Sequence, residues 1–297
     1  MTTLLLRILG STAADQSREP IDGVSVMADF TLQWVVGRQD QIIGQGDATG
    51  HTLTQQLDSL EEGLLQSADI VVVIPTEQVL LLSCQVPGRN SGQMRQALPY
   101  ALEEYVATDI EEMHIAAGSI KGGQAIHCAL IADAQMRQWK TWLSEHQIAA
   151  DVLVSEAQLA PVGDQCTVFL SRENATAVYQ RSSATVEREE LVGLLEDMAI
   201  TRLVTVGEEL SDLERSQLDA EVAIEQRSNV ATFLFERYAK QKPINLFQGP
   251  YVVENRKSGL KQDLLTLAKL AGVWFVIYVG GLGAQGLWSS YQADRLA

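Results

Sequence analysis

The sequence predicts an α/β body followed by one transmembrane α-helix, and three observations carry that expectation. Stretches of strand pattern alternate with stretches of helical pattern from Leu4 to Tyr238. The run Asp69 to Pro75 (DIVVVIP) is typical of a strand buried on both faces. From Leu270 to Gln292 (LAGVWFVIYVGGLGAQGLWSSYQ) no side chain carries a formal charge. At 1.5 Å per residue, about 20 residues cross a hydrocarbon core of about 30 Å, so this run is long enough to span one.

Taken in order, Leu4 to Leu9 is apolar, and Val24 to Met27, Leu32 to Val36 and Ile42 to Ile43 are short strand candidates separated by turn residues. Leu53, Leu57, Leu60, Leu64 and Leu65 then recur at helical spacing between His51 and Gln66. Gly44 to Gly50 (GQGDATG) follows a strand and opens that helix, but its third glycine is one place late for a dinucleotide loop and no lysine follows. It reads as an ordinary strand-to-helix turn. In Val86 to Ile115, one apolar stripe joins Met94, Ala97, Leu98, Ala101, Leu102, Tyr105 and Val106, with Pro99 on the outer face, where it would bend the helix. Adjacent helical residues do not face each other, so the acid pairs Glu103-Glu104 and Glu111-Glu112 read as a solvated face. Gln124 to Ile131 is a strand and Asp133 to His146 a helix. Asp151 to Val154, Thr167 to Leu170, Ala175 to Tyr179, Arg202 to Val206 and Val222 to Ile224 are further strands, set among helices at Glu187 to Met198, Leu210 to Leu218 and Val230 to Tyr238.

These patterns divide the chain into a body at 1–240 with two lobes parting near 155–165, a juxtamembrane linker at 241–267, a spanning helix at 268–290 and a short stub at 291–297. The residues expected to anchor the helix in lipid are Leu270, Gly272, Trp274, Phe275, Ile277, Gly280, Ala284 and Trp288. Ala268, Gly272, Gly280 and Ala284 recur at multiples of four, a small-residue face on which a second helix could pack. A buried core helix fits this run less well, because core helices rarely keep apolar faces all round for such a length.

Charge sets the orientation. Residues 1–235 carry 14 Lys/Arg against 34 Asp/Glu, a net of −20, whereas residues 236–269 carry seven Lys/Arg against three acids, a net of +4. Basic flanks stay on the cytoplasmic side, and the apolar run at Leu4 to Leu6 is too short for a secretory signal. The body is therefore expected in the cytoplasm, the carboxyl end in the periplasm, and the basic segment against membrane lipid. So acidic a body is a poor nucleic-acid binder. Cys84, Cys128 and Cys166 lie in separate apolar runs with no metal spacing, and read as buried thiols. His51, His114, His127 and His146 form no i, i+4 pair, and His127 and its neighbour Cys128 point to opposite faces of their strand.

The string PGRNSGQMRQALPYALEEYVATDIEEMH, from Pro87 to His114, resembles the hallmark segment of the type II secretion system protein L family, also called general secretion pathway protein L. The stretch Pro243-Ile-Asn-Leu-Phe-Gln-Gly249 is similar to a second element of that family, which lies just before its membrane helix. The resemblance implies an actin-like body of related, RNase H-like lobes. It also implies a non-enzymatic bacterial inner-membrane protein of protein secretion, crossing the membrane once. The implied partners are the cytoplasmic secretion ATPase (protein E), inner-membrane protein M and other platform components, and a second copy of itself in a homodimer or higher oligomer. Which residues meet these partners is not implied. The family usually continues into a small periplasmic domain, whereas this sequence stops soon after Trp288.

An actin-like nucleotide pocket uses D-x-G turns after the first strand of each lobe, where backbone N–H groups meet phosphate and the acid handles Mg²⁺. Here the first strand ends Leu9-Gly10-Ser11-Thr12, Asp15 comes too late, and neither Leu153 to Ala157 nor Thr167 to Glu173 supplies the pattern. No catalytic residue, cofactor or metal is expected. A membrane-tethered actin-like nucleotide-binding protein of cell division or pilus assembly is the alternative.

Overall fold

The computed structural model describes residues 2–9, 30–38, 41–88, 90–180, 182–198 and 200–253. The expected strand at Val24 to Met27, the Gly10-Ser11-Thr12 turn, Asp15, and everything from residue 254 onward, including the expected spanning helix, lie outside the described residues.

The first lobe begins with β1 (Thr2–Ile8), β2 (Thr31–Arg38) and β3 (Gln41–Thr49), antiparallel in turn. Helices α1 (Gly50–Asp58) and α2 (Leu64–Ser67) lead to β4 (Asp69–Ile74), parallel to β1. An insertion follows, in which β5 (Leu80–Cys84), β6 (Met113–Ala117) and β7 (Ile126–Ala132) form their own antiparallel sheet of order β5-β7-β6, covered by α3 (Ser91–Leu102). Helix α4 (Asp133–Glu145) then returns the chain to β8 (Val152–Ser155), parallel to β4, completing a sheet of order β3-β2-β1-β4-β8.

The second lobe repeats that plan. Its strands β9 (Gln165–Leu170), β10 (Asn174–Tyr179), β11 (Ser182–Glu187), β12 (Arg202–Gly207) and β13 (Ala223–Arg227) run in the order β11-β10-β9-β12-β13, with the same antiparallel and parallel neighbours. Helices α5 (Leu191–Glu196) and α6 (Asp212–Gln217) connect them, and α7 (Val230–Tyr238) follows. Two lobes of one strand order are the actin-like, RNase H-like architecture.

Period-2 alternation sends Leu4, Leu6 and Ile8 to one face of the first sheet, where they meet Leu53, Leu57, Trp139 and Trp142 of α1 and α4. Leu5, Val35, Val71 and Val73 go to the other face, and α7 fills the space between them and Phe169, Val204 and Val206 of the second sheet. The backbone is close there: a Cβ on Gly37, beside the register shift in β2, would come 2.4 Å from the Phe235 ring. One apolar layer thus joins the lobes.

Several expectations change. The single helix from His51 to Gln66 is broken between α1 and α2, where Gly63 takes φ +73° and Leu60 is left 45% exposed. Gly44 to Thr49 is not a turn but part of edge strand β3, and Trp34 lies over it, so a Cβ on Gly46 would come 2.9 Å from the indole. Helix α3 ends at Leu102 and passes into a 3-10 turn, which turns Tyr105 out to solvent and off the stripe formed by Met94, Leu98 and Leu102.

The largest change concerns 241–251, expected as part of a linker. These residues form a strap packed into the body. Leu246 N–H donates to Leu153 O at 2.8 Å, Leu153 N–H donates to Asn245 Oδ1 at 3.0 Å, and His114 Nε2–H donates to Leu246 O at 2.7 Å. Gln248 bridges both backbone groups of Ala117. Leu246, Phe247 and Tyr251 are buried in the first lobe's core, and the Tyr251 hydroxyl donates to Asp133 Oδ1 at 2.6 Å, its pKa pushed up to about 12 mainly by burial. The compact unit therefore ends at Tyr251, not at residue 240.

In the second lobe, Arg188 grips Glu214 through two bonds, Nε to Oε1 at 2.8 Å and Nη2 to Oε2 at 3.0 Å, while Glu214 Oε2 also accepts from the Ser211 N–H at the start of α6. The guanidinium, first, and these Ser211 bonds hold the Glu214 carboxyl near 2, below its ordinary 4.5. Because the folded value is depressed, the stability it contributes is present above pH 4.5 and is lost as pH falls toward about 2. Solvent at this rim screens the pair, so Glu214→Gln is expected to destabilise the body by about 1–2 kcal/mol at pH 7. Urea midpoints of the two proteins should converge as the pH is lowered to 3 and below.

Candidate functional site

Open α/β sheets hold ligands outside the carboxyl ends of their strands. In the first lobe those ends are Arg7 on β1, the 3-10 turn Thr76–Gln78 after β4, and the 3-10 turn Glu156–Leu159 after β8. Arg7 continues the face of Leu5 toward the second lobe. Its Nε–H donates to Glu156 Oε1 at 2.6 Å and its Nη1–H to Gln33 Oε1 at 2.9 Å, and Gln33 Nε2–H donates in turn to Asp47 Oδ1 at 3.1 Å. The Arg7 and Glu156 side chains are 16% and 9% exposed. Thr76 Oγ1 and Ser155 Oγ both accept from the Ala157 N–H, fixing the turn that carries Glu156.

Glu77 completes the cluster. Burial raises its pKa first of all, a backbone hydrogen bond opposes this, and of the nearby charges Glu156 raises it while Arg7 lowers it. A Mg²⁺ site would need carboxylates turned toward the ion. Here the buried carboxylate at the end of β8 is neutralised by the protein's own guanidinium, so the cluster braces three strand ends. Sequence reasoning missed it, although a lone arginine in TTLLLRI and a lone glutamate in LVSEAQLA were the signal.

The second candidate is the outer face of α3. Asn90 Oδ1 accepts from the Gln93 N–H and starts the helix, and Met94, Leu98 and Leu102 bury its inner face on the inserted sheet. That leaves Arg95, Gln96, Glu103 and Glu104 exposed, with Tyr100 78% and Tyr105 53% exposed beside them. Aromatic and charged side chains on a rigid helix suit contact with another protein more than chemistry on a small molecule.

Cys84, Cys128 and Cys166 are buried thiols, and burial pushes Cys128 and Cys166 up to about 12, far from reactive thiolate. Among the described residues no group of His, Cys, Asp and Glu is arranged to hold a metal ion, and no helix is long and apolar enough to cross a membrane. The expected anchor residues Leu270, Gly272, Trp274, Phe275, Ile277, Gly280, Ala284 and Trp288 lie outside the described residues.

The family model for protein L of the type II secretion system matches residues 24–254, which takes in the first lobe from β2 onward, the second lobe and the strap. The type II secretion system protein L of Dickeya chrysanthemi is 27% identical over 145 residues, 48% of this chain and 34% of that one, so the match spans about a third of the relative. Among solved structures, the cytoplasmic domain of EpsL, an inner-membrane component of the type II secretion system of Vibrio cholerae, superposes with a TM-score of 0.62 at 17% identity, covering 84% of this chain and 100% of that one. A chain of the PilM–PilN type IV pilus biogenesis complex superposes with a TM-score of 0.52 at 13% identity, covering 81% and 99%. At such identities the superpositions bear on the fold, while the family model spans well over half of the sequence: the chain belongs to the type II secretion system protein L family.

Proposed function

We propose that the chain is a non-enzymatic inner-membrane component of the type II secretion system, linking the cytoplasmic secretion ATPase, protein E, to protein M and the rest of the inner-membrane platform. The observation that carries this reading is the family match over 24–254, supported by the fold shared with the cytoplasmic domain of an inner-membrane component. The uncharged run at Leu270 to Gln292 is the anchor, with the amino-terminal body in the cytoplasm and the carboxyl end in the periplasm. The small-residue face around Gly280 serves self-association or pairing with another membrane helix. The body's net charge of −20 speeds encounter with a basic patch on the ATPase, and the exposed face of α3 offers aromatic contact area. What weighs against the alternative of a nucleotide-binding protein is the sequence, which lacks a D-x-G turn at Leu9 to Thr12, Leu153 to Ala157 and Thr167 to Glu173.

The test compares the full chain with one ending before Lys261. The shorter chain should bind purified ATPase at low salt, more slowly as salt rises, and leave the ATPase soluble in cells, whereas the full chain should bring it to the membrane. Absence of binding at low salt, or an ATPase that reaches the membrane without this chain, overturns the adaptor role.

A further inference from the structure

A cavity of about 400 Å³ opens where the inserted sheet, the turn between the two lobes and the start of the strap meet. That is within the usual size range of small-ligand sites. Its polar lining comes from Ser83, His127, Gln158, Arg237, Lys240, Gln241 and Lys242, and among the described residues no carboxylate lines it. The three cations that line it, Arg237, Lys240 and Lys242, come from the start of the basic segment that follows the acidic stretch 1–235.

Two residues of this lining, Gln158 and Arg237, also carry donor atoms buried behind the cavity wall. Gln158 uses its Oε1 to accept from the Ile244 N–H at 2.6 Å, but its buried Nε2 has no hydrogen-bond partner among the described residues, and neither has the buried Nε of Arg237. Such donors are costly unless something accepts from them. Among the described residues no acid forms an ion pair with Arg237, Lys240 or Lys242. Glu225, on the far side of Arg237, is paired with Arg202 and Arg227, and among the described residues no ion pair joins Glu236 to Arg237 or Lys240. Ser83 Oγ lies 2.6 Å from His127 Nδ1, placing a hydroxyl on the opposite wall.

We propose that this cavity is a binding site for a phosphate-bearing anion, held by Arg237, Lys240 and Lys242. Three positive charges exceed what one carboxylate would neutralise. A phosphoryl group brings a charge of about −2 and three acceptor oxygens, which match a guanidinium fork and two ammonium groups. The phosphate reaches the site either on a soluble ligand or on an anionic lipid headgroup. In both cases it ties the inserted sheet, the turn between lobes and the strap together.

The test reads the acylation rates of Lys240 and Lys242 with an amine-reactive ester by mass spectrometry, with exposed Lys121 as internal control. The full chain is held in phosphatidylcholine nanodiscs with or without inorganic pyrophosphate, and separately in nanodiscs containing phosphatidylglycerol. Saturating pyrophosphate should slow both lysines about tenfold when present at ten times its Kd. Protection by pyrophosphate assigns a soluble phosphate, and protection by phosphatidylglycerol alone assigns a headgroup. Arg237→Gln with Lys242→Gln should abolish the protection of Lys240, and Lys242→Gln alone, at an exposed position, should weaken it about tenfold even if the double variant does not fold. No protection in either arm, or protection of Lys240 unchanged in the variants, overturns the proposal.

Discussion

Leu246→Ala is expected to destabilise the body by about 2–5 kcal/mol, the cost of an apolar cavity at a buried leucine. Leu246 is fully buried, Phe247 and Tyr251 pack beside it, and its backbone bonds Leu153 and His114. Val252→Ala, one residue beyond the packed strap and 62% exposed, should change stability by less than about 0.5 kcal/mol. Urea unfolding of both variants checks the contrast, and two equally mild effects would mean that the strap is a tether rather than part of the core. The same strap carries a pH dependence. Burial lowers the His114 pKa from its ordinary 6.5, which outweighs the opposing bond to Leu246. Its folded value being depressed, its contribution is present above pH 6.5 and is lost as pH falls through the folded value, so mild acid should loosen the strap before the second lobe unfolds.

Arg7→Met should cost about 3 kcal/mol, the lower end of the range for removing one partner of a buried ion pair, because Arg7 keeps some solvent access. The loss comes from Glu156, left 9% exposed without its cation and with the like charge of Glu77 close by. Replacing both partners by apolar residues of similar size removes the stranded charge, so Arg7→Met with Glu156→Leu should recover most of the stability. A double-mutant cycle on unfolding midpoints measures this, and a double variant as unstable as Arg7→Met would show that the pair contributes through packing alone.

Much of this fold could be read from short-range pattern. DIVVVI announced the central parallel strand β4, the stripe Met94, Leu98, Leu102 announced α3, and the alternation after Gln165 announced the second lobe. What escaped depends on distant partners. Gly44 and Gly46 look like a turn in isolation and become strand because β2 supplies the hydrogen-bond ladder and Trp34 covers the glycines. The inserted sheet was hidden because β5, β6 and β7 are separated by α3 and by loops, so no local periodicity groups them. The strap PINLFQG looks like linker because its bonds reach back to Leu153, His114 and Ala117, about a hundred residues earlier. The buried pair of Arg7 and Glu156, 149 positions apart, is a product of strand order rather than of spacing.

Where the strap attaches decides how the body takes mechanical load. A pull on the chain beyond Val253 enters through Tyr251 and reaches in turn the Asp133 carboxylate at the start of α4, the Ala117 backbone in the inserted sheet and the Leu153 backbone in the first sheet. The bonds of Tyr251, Gln248 and Leu246 lie in that order along the strap, so each attachment shields the next. Tension from that end is divided between the inserted sheet and the first lobe before it reaches the second, which makes the strap a splice and the first lobe the part that bears the strain.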